Sequence, residues 1–174
     1  MLRPALGAGL TLRRQLTLFV PAPQRDALET WRQRLDPVQH GRIAAHVTLC
    51  REDELARHGE AAWRERVRAW WGGVLTLVWR PAERVDGHGV LLRCEAGQDA
   101  FQALRTHVLA DPEARSHGAH LTLAHPRNPR SLANDDALLA VLPRFAPVRF
   151  EAVSLIEQQG DAPWQTVWTE PLSP

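Results

Sequence analysis

The chain has 174 residues, 44% of them hydrophobic, and its 21 basic and 20 acidic residues leave a formal net charge of +1. This length suits one domain, or two closely fused lobes, with a substantial core. The near-neutral charge argues against binding along a long nucleic acid, which needs clustered cations, but allows an oligonucleotide end or a nucleotide. Every basic residue is arginine, which excludes chemistry through a lysine nucleophile and a lysine-containing phosphate loop.

The remaining composition points to a small protein of the cell interior. Cys50 and Cys94 have neither metal-ligand nor disulfide-framework spacing. Arginines interrupt the weakly apolar start of the chain, and no stretch is long enough to span a membrane. We therefore expect a cytoplasmic monomer, with residues 1–11 as a loose tail and residues 12–174 as a single bilobal domain.

The spacing of apolar residues predicts alternating strands and helices. Strands are predicted at residues 15–20, 45–50, 74–80, 119–124, 148–157 and 164–170, with a hairpin at 84–94 around Asp86-Gly87-His88-Gly89. Helices are predicted at residues 24–35, 53–71, 98–109 and 131–142. Gly59 is a point at which the second helix can divide, and Ser131 is the expected cap of the last. The tryptophan stripe of the second helix, Trp63, Trp70 and Trp71, is expected in the core.

One tetrapeptide pattern occurs twice in the chain. His46-Val47-Thr48-Leu49 and His120-Leu121-Thr122-Leu123 both read His, apolar, Thr, apolar, and they begin 74 residues apart. In a strand, this alternation places the histidine and the threonine on one face and the aliphatic residues on the other. A single copy is most often a half-buried structural strand, whereas two copies in one order predict a shared site. Two histidines and two hydroxyls in one cleft suit acid–base chemistry at phosphorus.

The region before each motif is also repeated. A predicted helix starts 22 residues before the motif in both halves of the chain, at Gln24 and at Gln98. The order strand, helix, motif strand, helix therefore occurs twice. This arrangement indicates two related lobes, which would bring the two motif strands together and face His46 toward His120.

On these two tetrapeptides the chain resembles the two-histidine (2H) phosphoesterase superfamily, which is defined by a pair of H-x-T-x motifs. Within it, the chain is most similar to the 2′-5′ RNA ligase family. The resemblance implies an α+β fold with two pseudo-symmetric lobes of mostly antiparallel sheet and outer helices around a central cleft. It implies a metal-independent hydrolase that needs no cofactor and opens RNA or nucleotide 2′,3′-cyclic phosphates to 2′-phosphates, with weak reversible 2′-5′ RNA ligation. It also implies His120 as base, His46 as acid, and Thr48 and Thr122 as ligands of the phosphate oxygens.

The chain departs from better-studied relatives beside both motifs. They often carry arginine two places after the last apolar residue of a motif, where this chain has His125. His125, Arg127 and Arg130 are therefore candidate phosphate-binding residues, although the two arginines fit a solvated loop equally well. The first motif runs into Cys50-Arg51-Glu52-Asp53 instead of the aromatic-Leu-Gly continuation of those relatives, which leaves the substrate open.

Two alternatives to this hydrolase remain at this stage. The histidines, with Cys50 or His125, could form a zinc site, although threonine is a poor zinc ligand. The cleft could also bind an RNA end or a nucleotide without turning it over. For the enzyme, the expected partners are an RNA terminus, a short oligonucleotide or a cyclic nucleotide, and no membrane. A Ser-His-Asp site has little support, because the sequence has no G-x-S-x-G element.

Overall fold

The structure, a computed structural model, describes residues 11–131 and 134–173. In these residues the strands are β1 (Leu12–Phe19), β2 (His46–Cys50), β3 (Leu75–Trp79), β4 (Glu83–Val85), β5 (Gly89–Ala96), β6 (His120–Ala124), β7 (Val148–Phe150), β8 (Ala152–Gln159) and β9 (Gln165–Pro171). The helices are α1 (Gln24–Leu35), α2 (Pro37–Arg42), α3 (Glu52–Leu55), α4 (Glu60–Arg68), α5 (Gln98–Leu109) and α6 (Asp136–Ala140). Of the predicted tail, residues 1–10 lie outside the described residues.

The sheet is arranged symmetrically about the two motif strands. Its order is β7-β3-β5-β6-β2-β1-β8-β9, with β4 paired to β5. Every strand pairing is antiparallel. The central pair is β2 and β6, with three further strands in line on each side. The α+β fold with two pseudo-symmetric lobes of antiparallel sheet is thus confirmed.

The two halves depend on each other for burial of their motif strands. The aliphatic residues of the motifs, Val47, Leu49, Leu121 and Leu123, are at most 1% exposed. Helix α1 of the first half packs against β6 of the second half, and α5 of the second half packs against β2 of the first. This exchange buries the apolar face of the central strands and leaves the opposite face to the histidines and threonines.

The prediction of one continuous helix over residues 53–71 was wrong in its extent. It is divided into α3 and α4, and Gly59 is the N-cap of α4. Helix α4 ends at Arg68, so the tryptophan stripe does not continue to its predicted end. Trp63 and Trp70 are buried as expected, but Trp71 lies beyond the helix and is 84% exposed.

Other elements also differ from the sequence-based predictions. Helix α2 was missed, although Asp36 caps it and Pro37 takes its first position, both common signals of a helix start. The final helix is shorter than predicted, and Asp135, rather than Ser131, caps it by accepting from Leu138 N. The strand predicted over 148–157 is interrupted at Glu151, which separates β7 from β8. Among the described residues, no helix combines the length and apolar character needed to cross a membrane.

A buried arginine joins α5 to the first motif strand. Arg105 has no solvent exposure, donates to the carbonyl of Leu49 and contacts the carboxylate of Glu54 at 2.6 Å. Removing one member of a buried ion pair leaves the other member poorly paired, and typically costs about 3–5 kcal/mol.

We expect Arg105→Met to lower the free energy of unfolding by about 3 kcal/mol, measured by urea denaturation. The matched control is Arg57→Met, because Arg57 is 78% exposed and pairs with Asp111 at the surface. That variant should lose less than about 1 kcal/mol. Equal losses in the two variants would show that the Arg105 pair is not a main support of the fold.

Candidate active site

The register of the central strands brings the two motifs together. Val47 of β2 pairs with Leu121 of β6 in antiparallel register. His46 therefore lies opposite Thr122, and Thr48 lies opposite His120. Directly opposite residues of an antiparallel pair have Cβ atoms about 4.5–5.5 Å apart. Each histidine thus has the threonine of the other motif as its neighbour across the strands.

Both histidine rings are held by the same hydrogen bond. His46 Nδ1 lies 2.8 Å from the carbonyl oxygen of Ala44, and His120 Nδ1 lies 2.8 Å from that of Gly118. Because a carbonyl oxygen only accepts, Nδ1 of each ring carries the proton and donates. The Nε2 atom of each neutral ring is then an acceptor, which can take a proton from a substrate or water and return it.

The surroundings favour the neutral form of both histidines. Burial lowers the pKa of His46 to about 4, and the positive charge of Arg32, and that of His120 when it is protonated, act in the same direction. The hydrogen bond to Ala44 opposes this effect. Burial also lowers the pKa of His120, assisted by positive charge at His88, Arg93 and Arg51, while its bond to Gly118 raises it. In the free protein, both rings are accordingly neutral near pH 7.

The four motif side chains line one cavity of about 350 Å³. Its other walls carry several cationic and polar groups, contributed by Arg13, Gln15, Arg32, Asp36, Arg42, His125, Arg127, Gln158, Asp161 and Trp164. Four of these residues are arginines and two are aspartates. An excess of guanidinium groups around two imidazoles suits an anionic ligand, because arginine matches the geometry of phosphate oxygens.

The loop after the second motif brings two of its three candidate residues to this cavity. His125 and Arg127 line the cavity, whereas the exposed Arg130 does not. Asp36 anchors the loop by accepting from His125 N at 2.9 Å. His125 Nδ1 accepts from Arg127 N at 3.1 Å, so its Nε2 carries the proton of the neutral ring. Burial and the charge of Arg127 lower the pKa of His125 and favour this neutral donor.

A second cavity adjoins the first on the His120 side. It has a volume of about 440 Å³ and shares Gln15, Thr48 and His120 with the first cavity. Its cationic and imidazole side chains are those of Arg51, His88, Arg93 and His117. Because Thr48 and His120 line both cavities, the motif side chains lie where the two cavities meet. Arg51 directly follows the first motif strand and His88 lies in the predicted hairpin, but the sequence did not predict that either would line the cleft.

The β1 face of the cleft was also missed. Arg13 and Gln15 line the first cavity, and the guanidinium of Arg13 lies 5.4 Å from the ring centroid of Trp164. Leu16 and Leu18 of the same strand are completely buried. Their alternation with Gln15 and Thr17 was a signal, since it places the polar residues of β1 on one face.

Cys50 belongs to the core, where it has no solvent exposure and burial raises the pKa of its thiol to about 12. In residues 11–131 and 134–173, no three His, Cys, Asp or Glu side chains are grouped as metal ligands. Cys50 thus fits a small apolar packing residue better than the thiolate ligand of the zinc alternative.

Comparison with solved structures shows which class of fold carries this cleft. The chain has the fold of the 2H phosphoesterases: a curled antiparallel sheet with helices, matched over almost its whole length. It resembles E. coli LigT complexed with phosphate, at a TM-score of 0.62 and 19% identity, over 95% of this chain and 99% of LigT. It also resembles LigT complexed with 3′-AMP, at a TM-score of 0.62 and 17% identity, over 93% and 98% of the two chains.

A further structure described as a phosphoesterase matches at a TM-score of 0.61 and 16% identity, over 95% of this chain and 99% of that one. No protein-family description matches the chain, and no curated protein matches it in sequence. At these identities, the likeness establishes the fold, while the activity has to be argued from the cleft.

Proposed function

We propose that this protein is a metal-independent phosphodiesterase of the 2′-5′ RNA ligase type, which hydrolyses an RNA or nucleotide 2′,3′-cyclic phosphate to a 2′-phosphate. The observation that carries the proposal is the crossed placement of two His-Thr pairs in one cationic cleft, with both imidazoles held through Nδ1. This arrangement supplies two proton-transfer groups and two hydroxyl donors around a single phosphorus atom. The resemblance of the fold to LigT supports the same chemistry.

The proposed reaction is an in-line hydrolysis. His120, in its neutral form, takes a proton through Nε2 from a water molecule, whose oxygen bonds to phosphorus. The bond from phosphorus to the ribose 3′ oxygen breaks, and protonated His46 donates its Nε2 proton to that oxygen. Thr48 and Thr122 donate to the non-bridging oxygens, where negative charge accumulates. The same displacement, with a ribose 5′-hydroxyl attacking phosphorus in place of water, gives weak 2′-5′ ligation. Its reversal, in which the 3′-hydroxyl attacks phosphorus and the 5′-hydroxyl leaves, cleaves a 2′-5′ linkage.

The two adjoining cavities support an RNA terminus over an isolated cyclic nucleotide as the better substrate. Thr48 and His120 belong to both cavities, so a phosphate held there can extend a group into each. Arg51 and Arg93 line the second cavity, where they can attract the next phosphate of a chain. The net charge of +1 is too small for a long binding track. We therefore propose recognition of the last few nucleotides.

The experiment that tests this function is a panel of cyclic nucleotides, cyclic-phosphate oligonucleotides and 2′-5′ oligonucleotides, incubated in EDTA with identification of the products. We expect 2′-phosphate products, with a higher kcat/KM for oligonucleotides than for mononucleotides. We expect a shallow dependence on salt, since each displaced counterion adds only about 0.7 to the logarithmic slope for single strands.

Each failure of that experiment has a distinct meaning. Loss of activity in EDTA would favour a metal mechanism, and tight binding without product would favour a non-catalytic binder. Cleavage throughout a long RNA with no preference for its end, or a steep salt slope, would contradict the proposed substrate.

The lowered histidine pKa values predict an acidic optimum for kcat/KM. The acid must be protonated and is lost as pH rises through its lowered pKa, whereas the base must be neutral and is lost as pH falls. The pKa values of both histidines lie below the usual 6.5. The pH profile of kcat/KM should therefore be bell-shaped, with its maximum below pH 6.5. The apparent pKa values of its two limbs belong to His46 and His120 as a coupled pair, not to either residue alone.

A bound phosphate anion stabilises the imidazolium, so the alkaline limb of kcat should lie at higher pH than that of kcat/KM. Both profiles can be measured by steady-state kinetics from about pH 4 to pH 9. A rate that keeps rising through alkaline pH would instead indicate attack by free or metal-bound hydroxide.

A further inference from the structure

A single glutamine brackets the peptide that holds His120. Gln98, the first residue of α5, donates through Nε2 to the carbonyl of His117 at 2.9 Å. Its Oε1 accepts from the backbone N–H of Ala119 at 2.8 Å. Between these two contacts lies Gly118, whose carbonyl accepts from His120 Nδ1. The side chain of Gln98 is therefore bonded on both sides of the group that orients the imidazole.

Because a peptide unit is planar, the hydrogen bond from Ala119 N–H to Gln98 also orients the carbonyl of Gly118. The carbonyl of Gly118 and the N–H of Ala119 belong to one peptide unit, in which they point in opposite directions. Fixing the N–H with Gln98 therefore fixes the direction of the carbonyl. Hydrogen bonds in such a chain also polarise one another, so the bond from Ala119 strengthens Gly118 as an acceptor.

In the first half of the chain, different side chains make the same pair of hydrogen bonds around the peptide that holds His46. We call such a pair of hydrogen bonds, one on each side of the carbonyl that binds Nδ1, a bracket. Glu29 accepts from the N–H of Ala45, and Arg32 donates to the carbonyl of Ile43 at 2.9 Å. Between them, the carbonyl of Ala44 accepts from His46 Nδ1. The bracketed backbone groups are the carbonyl three residues before the histidine and the N–H one residue before it, as in the second half.

The two brackets differ in chemistry and in position on their helices. Arg32, which is 3% exposed, contacts both carboxylate oxygens of Glu29 at 2.8 and 2.9 Å. In the first half, an ion pair therefore makes the two contacts that the side-chain amide of Gln98 makes in the second half. Glu29 lies in the middle of α1 and Arg32 in its last turn, whereas Gln98 begins α5 directly after Gly97, whose φ is +99°. Two unlike side-chain sets reach equivalent backbone atoms, which points to a shared requirement at the histidines.

We propose that Gln98 and the Glu29–Arg32 pair are positioning residues, which set the tautomer and the orientation of the two histidines through the intervening peptide. This inference rests on the proposed function for its effect on turnover, but its structural content concerns the histidines alone. A ring displaced by a fraction of an ångström can no longer place Nε2 in line with the proton it transfers.

The test is Gln98→Leu, which keeps the approximate size of the side chain and removes both contacts. We expect kcat to fall about 10- to 100-fold, in the range of other outer-shell partners of catalytic groups, with little change in KM. In ¹H–¹⁵N spectra at neutral pH, the Nδ1–H resonance of His120 should shift or broaden, while that of His46 stays in place. Gln98→Glu keeps an acceptor for Ala119 and loses the donor to His117, so it should restore part of kcat.

The matched control is Gln102→Leu, one turn further along α5. Gln102 contacts the same loop, through Ala114 O at 3.3 Å and His117 N at 3.4 Å, but neither bracketed atom. It should keep kcat and the His120 resonance. If Gln98→Leu leaves kcat and the resonance unchanged, or Gln102→Leu changes them equally, the inference is wrong.

The spectra separate this inference from the proposed function. If the wild-type protein hydrolyses none of the substrates, the proposed function fails, and a shift confined to His120 in Gln98→Leu still supports the bracket. If Gln98→Leu does not fold, Gln98→Glu provides the comparison. An unshifted His120 resonance and full kcat in that variant would overturn the role of the His117 contact.

Discussion

Alanine at His46 or at His120 will lower kcat by about 10² to 10⁴-fold, the usual contribution of a general acid or base. Each substitution removes the Nε2 atom that transfers a proton, and the remaining histidine cannot act as base and acid in the same step. Because the two groups work in one reaction, the double variant should be only slightly worse than the poorer single variant.

The measurement is steady-state turnover of a cyclic-phosphate oligonucleotide, together with thermal unfolding of each variant. His58→Ala is the matched control, since His58 is exposed and lies in the turn between α3 and α4, outside the cleft. It should turn over like the wild type. Near-normal activity in either cleft variant, with an unchanged melting curve, would rule out the two-histidine mechanism.

The threonine substitutions have the second largest expected effect. Thr48→Val and Thr122→Val each remove one hydroxyl donor and keep the branched shape that suits a strand. One oxyanion donor is worth about 10² to 10³ in rate, and we expect losses of this order in kcat. Because the hydroxyls act chiefly where charge develops in the transition state, KM should change less than kcat.

Thr76→Val is the matched control for both variants, because Thr76 is an exposed threonine in β3 outside the cleft. It should retain full activity. If both cleft variants and their double variant match the wild type, the motif threonines serve the strands and not the reaction. If KM rises while kcat stays constant, the hydroxyls bind ground-state phosphate without preference for the transition state.

Local patterns in the sequence determined much of the fold. The bounds of α1 and α5 agree with the predicted residues, because both helices carry clear apolar spacing and clear end signals. The alternation in the two motifs also determined which side chains enter the core and which face the cleft. Errors arose where one local signal has two meanings, as at Pro37, which follows the end of α1 and also takes the first position of the missed helix α2.

The tertiary structure alone decided how these parts meet. The sequence contains both motifs but not their register, which depends on the pairing of Val47 with Leu121 across 74 residues. A shift by one residue would turn the histidines of one strand to the opposite face. Likewise, no local periodicity relates Gln98 to the peptide before His120, because that contact forms only when α5 and β6 are packed. The sequence by itself therefore determined the reactive groups, and long-range packing determined their crossed arrangement and their brackets.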